Sequence, residues 1–289
     1  MRKTCRALKD MVGLDLTPGG LSQALVRVAK RLKPQSDALL DQIKAQDVLY
    51  TDETSWWVGG SSYSLWVATN EAGVAYRIVP SRSKVAAQDF LGEYQGVLVS
   101  DCLNIYDALT PLQHKCYAHH LKAIKAALEL PSARGSPWLQ ELRALLKGAM
   151  AFKDVMSELD PEQVKIIRAA LDENANRLLV QPRPGALSKD PAEQAQARIE
   201  EKVRLRFTKQ RDHLFVFLDH LKVDATNNQA ERDLRPAIPV RKLSCGNKTE
   251  QGARTFEVLA SLAATAHKKA DDFIQIVARA MQKQRMTHA

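Results

Sequence analysis

A chain of 289 residues with 45% hydrophobic and 26% charged side chains has enough apolar material for a sizeable core, which excludes disorder as its default state. Its 42 Lys and Arg exceed its 33 Asp and Glu by nine, a basic surplus that favours a polyanionic partner, nucleic acid before membrane surface. No stretch approaches the roughly 18 uninterrupted apolar residues of a spanning helix, so the sequence reads as a cytoplasmic protein with no membrane partner.

From the amino terminus, Thr17-Pro18 offers a cap and a first-turn proline, and Leu21, Leu25, Val28 and Leu32 then fall on one helical face. The other face carries Arg27, Lys30, Arg31 and Lys33. It could contact DNA, but a solvated basic side is the simpler reading. From Asp47 the pattern changes to short β-rich runs, 48–51, 64–69 and 74–79, separated by Gly59-Gly60 and by Asn70-Glu71-Ala72-Gly73. A helix near Lys84 to Leu91, an apolar strand at Val97 to Ser100 and a run at His114 to Tyr117 complete a mixed α/β sheet.

Between about Ala118 and Leu221 helical patterns take over. Asp160-Pro161-Glu162 and Asp190-Pro191-Ala192-Glu193 read as helix starts, with a connecting loop from Leu179 to Lys189. Thr226 and Gln229 have the capping-box spacing, which puts Glu231 in a short helix limited by Pro236. A basic loop through Arg241, Lys242 and Lys248 then leads to two closing helices, one near Gly252 to His267 and one after Asp271-Asp272. Cys5, Cys102, Cys116 and Cys245 lie far apart and read as reduced thiols.

Asp52 and Asp101 each follow an apolar strand, where two carboxylates on neighbouring strands would repel unless a cation neutralised them. Mg²⁺ or Mn²⁺ suits that role, because hard divalent ions prefer carboxylate, water and phosphate oxygens. Glu231 could complete such a site. Taken alone, however, strand-end acids serve more often as turn or cap residues. Glu53 competes with Asp52, but strand alternation puts Asp52 on the face shared with Val48 and Tyr50.

The stretches around these acids are Tyr50-Thr51-Asp52-Glu53-Thr54, Gly96 to Asp101, His114-Lys115-Cys116-Tyr117-Ala118-His119, and Asn227-Asn228-Gln229-Ala230-Glu231-Arg232. The last is followed by Leu234-Arg235-Pro236 and Arg241-Lys242. In this order they resemble the catalytic region of the DDE transposases of the insertion sequence sixty-six family. The resemblance runs from the first helix to the carboxyl terminus.

It implies an RNase H-like mixed sheet interrupted by a helical insertion, with Asp52, Asp101 and Glu231 as the catalytic carboxylates holding two Mg²⁺ or Mn²⁺ ions. The activity implied is metal-dependent cleavage and strand transfer at the ends of a bacterial insertion sequence. Partners would be double-stranded DNA (element ends and target), further copies of the chain in a homo-oligomer on that DNA, and helper proteins of the same element, in the nucleoid. The expected organisation is a helical segment over 1–46, catalytic parts over 47–118 and 223–289, and the insertion over 119–222.

Members of that family are longer, with an amino-terminal coiled coil and a cysteine-rich zinc-binding segment, so the chain reads as their catalytic region. Two alternatives remain: a truncated, catalytically idle DNA-binding remnant that regulates or inhibits transposition, and a structure-selective nuclease without strand transfer. Arg232, Arg235, Arg241 and Lys242 surround Glu231, where they could bind DNA phosphates or pair with acids such as Asp233. Cys116 and His119 have a Cys-x-x-His spacing, but one pair without a second is more often structural than a zinc site, and His119 reads as a packing accessory. Trp56 and Trp57 could stack on an unpaired base, though core or sheet packing is the simpler role for a hairpin pair.

Overall fold

A computed structural model describes residues 1–92, 94–107, 109–110, 112–181 and 188–286. The chain divides into two compact units. One is drawn from the stretch up to Gly96 and from Asn228 onward, the other from Val97–Asn227.

The first unit begins with α1 (Arg2–Val12), a helix the sequence pattern did not announce because Cys5 is its one buried residue. In α2 (Pro18–Lys44) the Thr17 side chain accepts from the Gly20 N–H at 3.0 Å, and Pro18 occupies the first turn. β1 (Val48–Val58), β2 (Ser61–Asn70) and β3 (Gly73–Val79) form an antiparallel meander. β1 and β2 are joined by Gly59-Gly60, both with positive φ, 59° and 90°, as a two-residue hairpin between Val58 and its partner Ser61 demands. α3 (Lys84–Leu91) follows, capped by Ser83.

In the second unit β4 (Val97–Ser100) pairs in parallel with β5 (Gln113–Lys115), Leu98 opposite Gln113 and Ser100 opposite Lys115. All four β4 residues are buried, as expected of a parallel strand covered on both faces. Helices follow: α4 (Tyr117–Glu129), α5 (Pro137–Val155), α6 (Pro161–Val180), α7 (Pro191–Lys209) and the single turn α8 (Val216–Asp219). Asp160 and Gln163 form a reciprocal capping box on α6, and Asp190 caps α7. The loop expected from Leu179 starts later, since α6 runs to Val180; residues 182–187 lie outside the described residues.

The chain then returns to the first unit with α9 (Asn228–Leu234), α10 (Ala237–Ser244), α11 (Glu250–Lys268) and α12 (Phe273–Met286). The expected basic loop through Arg241 and Lys242 is instead helical. Pro236 and Pro239 sit before and within the first turn of α10, where a missing N–H breaks no helical bond.

α11 runs along the edge of the meander and closes it. Thr265, Ser261 and Glu257, four residues apart, accept the backbone N–H groups of Val74, Tyr76 and Ile78 at 2.9, 2.9 and 2.6 Å. Four helical residues rise about 6 Å and two strand residues about 6.7 Å, so the two ladders stay in step over three contacts. The outward N–H groups of β3 are thereby satisfied, and the edge is withheld from foreign strands. Gly73 permits the approach, because a Cβ there would stand 2.7–2.8 Å from Leu39 and Thr265.

Candidate active site

Asp52, expected just past the end of a strand, instead lies within β1, which runs on to Val58; it is half-buried and directly opposite Val67 of β2. Opposed residues share a face and the side chains alternate, so Asp52 shares its face with Tyr50, Thr54, Val67, Thr69 and Tyr76. Glu53 points to the other face, where it is buried and paired with Arg82. The Asp52 carboxylate also accepts its neighbour's N–H, Glu53 N to Oδ1 at 2.9 Å.

α9 packs on β1 and β2, and the contact between Asp233 and Thr69 puts it on the Asp52 face. Each residue turns a helix by about 100°, so Glu231 and Asp233 flank the buried stripe of Ala230 and Leu234 on opposite sides. Asp233 faces β2, β3 and α11, which leaves Glu231 on the flank toward β1. The Glu231 side chain makes no hydrogen bond or ion pair among the described residues. The first unit thus brings Asp52 and Glu231 to one face of its sheet.

Asp101, in the second unit, leaves the end of β4 in an Asx turn, its Oδ1 accepting the Leu103 N–H at 2.9 Å. Beneath it lies Lys115 at the end of β5, fully buried. Its ammonium is 3.1 Å from Asp107 Oδ1 and 3.4 Å from Ser100 Oγ, and Ser100 in turn donates to the Asp101 carbonyl at 3.0 Å. Burial pulls the Lys115 pKa down, with Asp107 opposing. Sequence reasoning missed Lys115, because one lysine in a three-residue strand carries no periodic signal.

The basic residues near Glu231 differ in their engagement. Arg241 donates to Thr54 Oγ1 and Ser55 Oγ at 2.8 and 2.9 Å, spending part of its fork on β1. Arg232, Arg235 and Lys242 have no carboxylate partner among the described residues, and Asp233 pairs with Lys268 instead.

Cys116 is buried as the N-cap of α4, and its sulfur accepts the Asn227 N–H at 3.1 Å. A His119 ring nitrogen lies within 4.8 Å of that sulfur, and His119 Nδ1 is buried without a hydrogen-bond partner among the described residues. All four cysteines are free thiols. Nearby His114 is buried between the carbonyls of His213 and Ala225, and burial pushes its pKa down to about 4. Trp56 is a core residue, 5.0 Å from the Phe256 ring with its N–H on Asn247, whereas Trp57 is exposed.

Among the described residues no helix is long and apolar enough to cross a membrane. The sequence model of the family described as Transposase IS66 family matches residues 1–255. Two uncharacterized proteins of Sinorhizobium fredii (strain NBRC 101917 / NGR234) are similar. Protein y4jD is 27% identical over 281 residues, covering 86% of this chain and 52% of the relative. Protein y4qI is 23% identical over 288 residues, covering 88% and 50%. The chain spans about half the length of these curated relatives.

Proposed function

The chain belongs to the IS66 transposase family, and from that premise we propose that it is the catalytic region of a DDE transposase that cleaves and rejoins DNA at the ends of an insertion sequence. The observation that carries this reading is the family match, whose span includes Asp52, Asp101 and Glu231. On this reading the strands belong to an RNase H-like sheet, and α4 to α8 are its helical insertion.

The three carboxylates fit divalent metal chemically. Each offers hard oxygen donors, the turn at Asp101 and the Glu53 N–H at Asp52 restrain two of them, and Glu231 is uncommitted to any described cation. Mg²⁺ or Mn²⁺, when bound by Asp52, Asp101 and Glu231, would stabilise the charge that develops on the entering and leaving oxygens of an in-line displacement. Two ions are the expected number. Arg232, Arg235 and Lys242 seat the phosphodiester backbone, with the part of the Arg241 fork not spent on β1. Hydrolysis of one phosphodiester leaves a 3′-hydroxyl, which loses its proton and attacks a target phosphodiester, breaking the P–O bond to the target strand's 3′-oxygen, which leaves as a hydroxyl; no serine or tyrosine nucleophile is called for.

Duplex DNA is the partner class, bound by a homo-oligomer with helper proteins of the same element, in the nucleoid. Incubation with Mn²⁺ and labelled element ends tests the reading, because cleavage, strand transfer and mere binding give different products. Nicked and joined products are expected. Shifted but intact DNA would favour the idle remnant, and cleavage without joining the nuclease.

A further inference from the structure

If Glu231 holds metal, as the proposed function has it, something must hold Glu231. α9 has only 7 residues, too short to stand as an independent helix, so its orientation comes from what it touches. Ala230 and Leu234 are buried under it. Its outer side borders a groove of about 820 Å³ lined by Pro236, Val240, Phe256, Ala260 and Ala264, so apolar packing holds it from the inner side alone.

A polar cluster sits where packing is thin. Asp233 Oδ2 accepts from Lys268 Nζ at 2.8 Å and lies 2.7 Å from Thr69 Oγ1, which itself accepts from Lys268 at 2.9 Å. The Tyr76 hydroxyl donates to the Asp233 carbonyl. The last turn of α9 is thus tied to β2, to β3 and to the last turn of α11. With side chains 13% and 22% exposed, the Asp233–Lys268 pair is a weak source of stability, because desolvation offsets much of the attraction. Its directional contacts do what a loose apolar contact does not: they fix the angle of the helix. Since Glu231 is on the opposite flank from Asp233, any rotation that releases Asp233 also swings Glu231.

We propose that Asp233, Lys268, Thr69 and Tyr76 form a latch that sets the rotation of α9 and so aims the Glu231 carboxylate, making Asp233 and Lys268 positioning residues for the metal-dependent reaction. The test titrates the full chain with Mn²⁺ alone, following free Mn²⁺ by electron paramagnetic resonance, and separately measures affinity for duplex DNA. Asp233→Asn and Lys268→Met should each weaken Mn²⁺ binding by about tenfold, the usual scale for a group that orients a metal ligand, while DNA affinity holds. Lys268→Arg, which keeps charge and reach, should restore most of the Mn²⁺ affinity. Tyr76→Phe deletes one hydrogen bond and should shift it the same way by less, which keeps the test decisive if a charge variant fails to fold. Wild-type Mn²⁺ affinity in the latch variants that fold, alongside its loss in Glu231→Gln, would overturn the latch and leave the role of Glu231 standing. Wild-type affinity in Glu231→Gln would overturn both.

Discussion

Asp52 and Glu53 are adjacent carboxylates with opposite surroundings, and strand alternation is the whole reason. Asp52 lies on the face that carries α9, while Glu53 is buried on the other and paired with Arg82. Asp52→Asn should therefore abolish cleavage with little effect on folding. Glu53→Gln should retain cleavage but cost about 1–3 kcal/mol of stability, because it removes the charge from a buried carboxylate hydrogen-bonded to the half-exposed Arg82. Thermal melts and a cleavage assay on both variants check this, and loss of cleavage in Glu53→Gln at temperatures where it stays folded would reverse the assignment. The period-2 face of Asp52 was legible in the sequence. The environment of Asp101 was only half so: its place at a strand end was readable, but Lys115 and Asp107 meet through tertiary folding between positions with no shared pattern.

The elements that position these residues were read unevenly, for identifiable reasons. Strands β2 to β4 and helix α3 were legible because their apolar periods and bounding glycines are local signals, whereas β1 was read as ending at Thr51 and in fact runs on to Val58 through polar residues that carry no apolar run. α10 was misread because Pro236 was taken as an ending when it also serves as a beginning. The ladder on α11 was invisible, since Glu257, Ser261 and Thr265 look like ordinary polar helix positions until β3 is placed beside them.

That ladder makes a pH prediction. Burial raises the Glu257 pKa above its ordinary value, against the lowering pull of the Ile78 N–H and Arg254. The folded state therefore holds the Glu257 proton more tightly than the unfolded chain. Its contribution to stability is present in full below the ordinary carboxylate pKa and is lost as pH rises through the raised one. The stability of the wild type minus that of Glu257→Gln should accordingly fall as pH is raised from about 4.5, the ordinary Glu value. Chemical denaturation across that range measures it, and a difference that grows with pH would mean that Arg254 and the Ile78 N–H outweigh burial.

At the scale of the whole molecule, the nine-charge surplus and the cations at Arg232, Arg235 and Lys242, which have no carboxylate partner among the described residues, should make the proposed binding to duplex DNA salt-dependent. Replacing Arg241 and Lys242 with Ala should lower the slope of log affinity against log salt by roughly two phosphate contacts. Because Arg241 also bonds Thr54 and Ser55, Lys242→Ala alone should account for about one of them. An unchanged slope in the double variant would assign both residues to the fold. Phosphate contacts carry no sequence information, so discrimination of element ends by this chain should be weak. Competition between an element end and unrelated duplex measures it, and a preference of about a thousandfold would contradict that expectation.

The proposed function requires Asp52, Asp101 and Glu231 to act together as the metal-holding carboxylates of a DNA-cleaving enzyme. Single-turnover cleavage of labelled element-end DNA in Mg²⁺ tests it most directly, comparing the wild type with Asp52→Asn, Asp101→Asn and Glu231→Gln at equal DNA occupancy. Cleavage is expected from the wild type and none above background from any of the three, all still folded and bound to DNA. Near-normal Mg²⁺-dependent cleavage by any one of them would contradict it.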